Sequence, residues 1–262
     1  MIRLIEVVDY RRKVYLIPFG DLHLGSPNID TEKIDGYLDW IKKNKAYVFL
    51  MGDLFDVATL DSATEVWGQQ MSINGALQML VKKFAPIQKQ IIGAITGNHE
   101  DRLVRYSNFN PVQTLCDMLE VPYCNYSAVL RFRIGGHKNS RLNIVSPTVE
   151  YVFYAHHTTG GGATIGGKLN RIAKLNAIFA GADAYLGGHN HAKALGEETV
   201  YTLSKNGRGE ARLTQKKVMY IDTGSFLVYE NSYAEKQMLT PAHTGAVRIR
   251  MDGSRKDLHV SY

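Results

Sequence analysis

Residues 46–53 read AYVFLMGD: an unbroken apolar run, then Gly52 and Asp53. A run this short, apolar at every position, suits a strand buried on both faces, because an uncovered face would bring alternating polar residues. The pattern recurs. VYLIPFGD (14–21), IIGAITGNHE (91–100), YVFYAHH (151–157) and AYLGGHNH (184–191) are each an apolar run that gives way to polar residues. Helical stretches separate them. Asp30 can cap a helix whose Ile34, Tyr37, Leu38 and Ile41 follow the i, i+3, i+4, i+7 spacing, closed by Lys42, Lys43 and Lys45. Ile73, Leu77, Leu80, Val81 and Phe84 share one face of a second helix over 73–84, which stops before Pro86. Asn110-Pro111 opens another, with Val112, Leu115 and Leu119 inward, and a fourth is expected at about 167–179.

From about 197 the texture changes to short alternating strands such as VMYIDTGS and AVRIRM, with turn signals at Asn206-Gly207 and Asp252-Gly253. The expectation is an α/β fold with an α+β tendency at its C-terminal end: a mixed β-sheet sandwich flanked by helices. It is read as a single domain over 1–262, with 197–262 completing the sheets. The 262 residues, 45% hydrophobic and 21% charged, are enough for one large α/β domain and exclude a disordered chain. Arg3, Glu6 and Asp9 break the N-terminal stretch, so no leader is expected. No apolar run approaches the roughly 18 residues of a membrane span. Two cysteines, Cys116 and Cys124, make no disulfide framework, and a cytoplasmic location is the natural reading. The net charge of +6 suits an anionic partner, such as nucleic acid or a phosphate ester.

In sheets of this kind ligands bind beyond the carboxyl ends of the strands, so the five polar ends should converge. They carry Asp21-Leu22-His23, Gly52-Asp53-Leu54-Phe55-Asp56, Gly97-Asn98-His99-Glu100, His156-His157 and Gly188-His189-Asn190-His191. Carboxylates, imidazoles and one amide oxygen form a mixed N/O donor set suited to divalent transition metals. Residues i and i+2 point the same way in an extended segment, which accounts for the spacing in Asp-x-His and His-x-His.

These motifs, in this order from 21 to 191, resemble the calcineurin-like metallophosphoesterase superfamily. The resemblance implies two metal ions, manganese foremost, with iron, zinc, nickel, cobalt or magnesium as alternatives. It implies that Asp21, His23 and His191 bind one ion, that Asn98, His156 and His189 bind the other, and that Asp53 bridges them. Neighbours in an extended strand point oppositely, so only one of His156 and His157 easily faces the ions. His156, which ends the apolar run, fits the family position. The implied reaction is in-line attack on phosphorus by a hydroxide bridging the metals, with His99 assisting the leaving group. Asp56 is expected to orient a ligand or the Asn98–His99 turn from behind, or to serve its own turn alone.

Substrate is less legible. Protein phosphatases of the superfamily continue their second motif differently from GDLFDVATL, and the UDP-sugar pyrophosphohydrolases carry Asn-Arg in place of Asn98-His99. The nuclease and phosphodiesterase branch resembles DLHLG, GDLFD and the Gly-Asn-His-acid motif more closely, with Glu100 replacing the usual aspartate. The stretch HHTTGGGATIGGKLNRIAKL (156–175) is similar to glycine-rich stretches of small phosphoesterases of phage and prophage origin. Gly160–Gly162 and Gly166–Gly167 could bring backbone N–H groups against a phosphate, while Lys168, Arg171 and Lys174 could follow a phosphate backbone or be a solvated face. Arg102 and Arg105 could grip a substrate phosphate, and Trp67, in the insertion 64–75, could stack on a base. The expected activity is hydrolysis of phosphodiesters, of DNA, RNA or nucleotides. The alternatives are a small-molecule phosphomonoesterase and a non-catalytic scaffold, and oligomeric state cannot be read.

Overall fold

Val48 and Leu50 point to one side of their strand and Phe49 and Met51 to the other, and all four are fully buried. Both faces therefore need cover, which layers of helix, sheet, sheet and helix provide. The computed structural model describes residues 1–262 apart from 60–65, 137, 140–143, 146, 147, 161, 206, 208, 237 and 239. The strands in chain order are β1 (Arg3–Asp9), β2 (Lys13–Phe19), β3 (Tyr47–Leu50), β4 (Ile91–Ala94), β5 (Ser127–Ile134), β6 (Lys138–Asn139) and β7 (Ile144–Val145). There follow β8 (Val149–His156), β9 (Ala184–Gly187), β10 (Lys193–Lys205), β11 (Ala211–Ser225), β12 (Gly245–Ala246), β13 (Arg248–Asp252) and β14 (Leu258–Ser261). The helices are α1 (Thr31–Asn44), α2 (Ile73–Phe84), α3 (Asn98–Ser107), α4 (Pro111–Leu119), α5 (Ile165–Ala173) and α6 (Tyr233–Lys236).

One sheet has the order β14-β13-β2-β3-β4, the other β1-β5-β8-β9-β11-β10, with β12 paired to β11. Both are mixed. β2, β3 and β4 run parallel, as do β8, β9 and β11, while β13 lies antiparallel to β2 and β5 to β8. Leu16, Phe49 and Met51 meet Phe132, Phe153, Leu186 and Ile221 between the sheets. Outside the first sheet, Ile17, Val48 and Leu50 pack under Ile34 and Ile41 of α1 and Leu77 and Leu80 of α2. Outside the second, Tyr154, Tyr185 and Tyr220 lie with Ile172 of α5. Each such fully buried apolar side chain contributes about 1.5–3 kcal/mol relative to exposure.

Local signals behave as the sequence suggests. Asp30 caps α1 by accepting from the Lys33 N–H at 2.9 Å, and Asn110 caps α4 through the N–H groups of Val112 and Gln113. α5 starts two residues earlier than expected, because Thr164 accepts from the Gly167 N–H and so begins the helix there; a 3-10 turn continues it to Ala177. The C-terminal strands differ from the short ones expected: β10 and β11 have 13 and 15 residues. Asn206 of the expected turn lies outside the described residues, as do Gly161 of the glycine-rich stretch and Thr64 and Glu65 of the insertion.

Candidate metal centre

The parallel strands deliver their carboxyl ends to one edge of the sandwich. Asp21 and His23 follow β2, Asp53 and Asp56 follow β3, Asn98 and His99 open α3 after β4, His157 follows β8, and His189 and His191 follow β9. Asp21, His23, Asp53, His189 and His191 all have positive φ, from 47° to 73°. Non-glycine residues rarely adopt that left-handed conformation, and such strain persists only where surrounding structure enforces it. This corrects the extended-segment explanation of Asp-x-His and His-x-His, since those residues are turned, not extended.

Two donor groups result. In the first, His191 Nε2 stands 3.0 Å from His23 Nε2 and 3.4 Å from Asp21 Oδ1. In the second, His157 Nε2 is 3.1 Å from both Asp53 Oδ2 and Asn98 Oδ1, and His189 Nδ1 reaches Asn98 Oδ1 at 2.5 Å. Asp56 lies behind, 3.4 Å from Nδ1 of both His23 and His99. Asp21, His23 and His191, and likewise Asp53, His157 and His189, each offer ligand atoms all within 4.8 Å of one another. Those ion-pair contacts apart, His23 Nδ1 and Asp53 Oδ2 are buried with no hydrogen-bond partner. Two imidazole nitrogens facing each other at 3.0 Å, next to carboxylate oxygens, fit a divalent cation well.

The expected ligand His156 is not in this group. Tyr151, Phe153 and Ala155 of β8 face the space between the sheets, and His157 continues that face. His156 falls on the other face, where its Nδ1 accepts from the Thr158 N–H at 2.7 Å. His157 is fixed instead by Nδ1 on the Met51 carbonyl at 2.7 Å, which leaves Nε2 toward Asp53 and Asn98.

Burial and mutual repulsion set the charges. Burial, with His99 beside it, holds His23 down at about 4, and burial with His157 holds His189 at about 4. Both stay neutral at physiological pH, as nitrogen ligands must. Burial also opposes a charge on His157, but the adjacent Asp53 carboxylate prevails and pushes it up to about 10. Asp53 resists burial in turn and is held well below the carboxylate range, chiefly by His157 and His99. His99 is raised despite burial, by Asp53 and Asp56. Its Nδ1 lies 2.5 Å from the Asp56 carbonyl, so Nδ1 carries the proton and Nε2 is free, 3.9 Å from Asp53 Oδ2.

Glu100 accepts from the N–H groups of Asp53, Leu54, Phe55 and Gly97 at 2.6–3.0 Å, fixing the Asp53 loop onto the start of α3. Its position three residues after Gly97 is capping-box spacing, a legible signal. Asp222, fully buried three residues before the end of β11, was legible too: VMYIDTGS holds another apolar run that meets an aspartate. Burial and the Asp21 carboxylate push Asp222 well above the ordinary range, against the pull of the Asn190 amide. Close approach explains one glycine. A Cβ on Gly97 would lie 2.2 Å from Asp53 Oδ1.

The other expected substrate contacts divide. A pocket of about 340 Å³ is lined by Asp53, His99, His189 and His191 together with Lys168, Leu227, Tyr229 and Ala242. Lys168 Nζ donates to the Asn190 carbonyl at 2.9 Å, and Arg171 to the Gly160 carbonyl at 2.9 Å, so both brace the loops around the pocket. Arg102 lies near enough to His99 to lower its proton affinity, and its Nη1 is buried with no hydrogen-bond partner. Arg105 pairs with Asp101 at 2.6 Å, and Trp67 is exposed in a short 3-10 turn.

A family model described as calcineurin-like phosphoesterase matches residues 17–193, and the chain belongs to that family. Among solved structures, the phosphoesterase Yfce from E. coli aligns at 13% identity and a TM-score of 0.41, covering 91% of this chain and 88% of its own. Vps29 from Chaetomium thermophilum aligns at 9% identity and a TM-score of 0.39, covering 96% of each chain. No curated protein matches the sequence. Among the described residues, no helix is long and apolar enough to cross a membrane.

Proposed function

We propose that the chain hydrolyses phosphodiester bonds of nucleic acid or nucleotides with the help of two divalent ions, manganese foremost. The observation that carries the reading is the pair of adjoining N/O donor groups at the mouth of a single pocket. Asp21, His23 and His191 would hold one ion and Asn98, His157 and His189 the other, with Asp53 between them. Ions bound there supply Lewis acidity to the phosphoryl oxygens and to an attacking water. The chain's own groups do the rest. Glu100 holds the Asp53 loop in place through four N–H bonds, and Asp56 orients both His23 and His99. His99, fixed through Nδ1 and favoured in its charged form, presents Nε2 to donate a proton to the leaving oxygen, a role worth about 10²–10⁴-fold. Arg102 lies near enough to His99 to act on its charge, with its Nη1 buried and not lining the pocket.

A second reading, hydrolysis of a small phosphomonoester, draws support from the modest pocket and from Lys168 and Arg171 being engaged by loop carbonyls. The test offers the purified chain end-labelled single- and double-stranded DNA, bis-p-nitrophenyl phosphate and p-nitrophenyl phosphate with Mn²⁺, using Asp53→Asn as the control. Diester cleavage that the variant loses supports the proposal. Turnover of the monoester alone selects the second reading, and no turnover of any substrate points to a non-catalytic scaffold.

A further inference from the structure

Only Met219–Asp222 of β11 pair with β9, so the outer parts of β10 and β11, from Glu198 to Lys205 and from Ala211 to Val218, leave the sheet as a two-stranded ribbon. Such a ribbon is at best marginally stable alone in water. One of its faces is covered near the base, where Val200 and Val218 pack with Tyr154, Tyr185 and Tyr220. The other face carries Thr199, Tyr201, Leu203 and Lys205 opposite Lys217, Gln215, Leu213 and Ala211. On it Tyr201 is 67% exposed, Leu203 78% and Leu213 67%. β10 is also the edge of its sheet, and among the described residues no strand pairs with its free side. Long uncovered edges invite pairing with another strand, and exposed apolar clusters with charged rims mark association surfaces.

The sequence of β10 says which strand. Its first half carries Glu197 and Glu198 and its far end Lys205, so the strand is complementary to itself when reversed. An antiparallel pair with the two-fold axis at Tyr201 sets Glu197 against the partner's Lys205, Thr199 against the partner's Leu203, and Tyr201 against the partner's Tyr201. Each of these lies on the bare face. Glu197 already accepts from Lys217 at 2.8 Å on the same face, so its carboxylate is held at the surface. We propose that the chain forms a two-fold dimer by pairing β10 with β10 of a second copy, joining the two seven-stranded sheets edge to edge. Isologous contacts of this kind close on themselves, which an open edge otherwise does not.

The test is a charge exchange read by sedimentation of the full chain at tens of micromolar. The unaltered protein should be a dimer. Glu197→Lys alone, or Lys205→Glu alone, places two like-charge pairs across the axis and should weaken the dimer at least about tenfold. Mixing the two single variants restores both opposite-charge pairs, as does the double variant, and each should return the dimer. Unchanged melting and metal content confirm that the variants are folded. A monomeric unaltered chain, single variants that dimerise as tightly as the original, or a failure of both rescues would each overturn the proposal.

Discussion

The metal centre and the β10–β11 ribbon are built on opposite terms. Around the centre, five non-glycine residues sit in left-handed backbone, imidazoles face one another, and carboxylates are buried to the last oxygen. The ribbon is unstrained extended chain rich in β-formers, with one face bare to water and the other covered near its base. Strain and buried charge survive at the centre because it stands at the ends of two packed sheets, where Glu100, Gly97 and the Met51 carbonyl leave its groups no alternative. No such enforcement exists in the ribbon. The difference teaches that this fold concentrates strained backbone and buried charge at the ends of its packed sheets and leaves the outer ribbon in ordinary extended backbone, open to solvent on one face.

The largest expected effect tests that enforcement. Gly97→Ala drives a methyl group into Asp53, so the variant should lose bound metal and hydrolysis together and melt lower by about 1–3 kcal/mol, measured by metal analysis and denaturation. Next comes the choice of histidine. His157→Ala should empty the site nearest Asn98, whereas His156→Ala should keep the full metal content; equal losses would mean that the facing of β8 is misjudged. Glu100→Gln weakens the support behind Asp53, and should lower metal affinity by about 10–100-fold with the fold intact.

A pH series sharpens the comparison further. A metal can bind His157 only after its proton leaves, and that proton is held up to about 10 by Asp53. Apparent metal affinity should therefore rise with pH, by about tenfold per unit for one displaced proton below that value. Calorimetry in buffers of different ionisation enthalpy should show the proton release; affinity independent of pH would contradict the His157 assignment. The metal-free fold responds to pH with the opposite sign. The His157–Asp53 pair stabilises it below the ordinary histidine range and is lost as pH rises through about 10. The smallest effect belongs to the ribbon. Leu203→Ser should change the stability of the metal centre's fold by no more than about 0.5 kcal/mol, since Leu203 touches nothing that the core depends on.

By itself the sequence determined which polar side chains stand at the ends of the apolar runs and so gather at one edge. Apolar runs that end abruptly in Asp, Asn or His are local signals, and strand ends in such sheets share one edge, so Asp21, His23, Asp53, Asn98, His189 and His191 could be read before any coordinates. Capping pairs such as Asp30 with Lys33 were legible for the same local reason. Only the tertiary structure showed that His157, not His156, stands beside Asp53 and Asn98, because Tyr154 is buried on the His156 face as well and the one polar residue of that face, Glu150, lies at the far end of β8. It also decided that Lys168 and Arg171 brace loops, since their carbonyl partners at Asn190 and Gly160 are distant in sequence. Backbone handedness at Asp21, His23, Asp53, His189 and His191 was settled there too. A positive φ at aspartate or histidine is a local cost accepted only because distant packing enforces it, and no local pattern announces it.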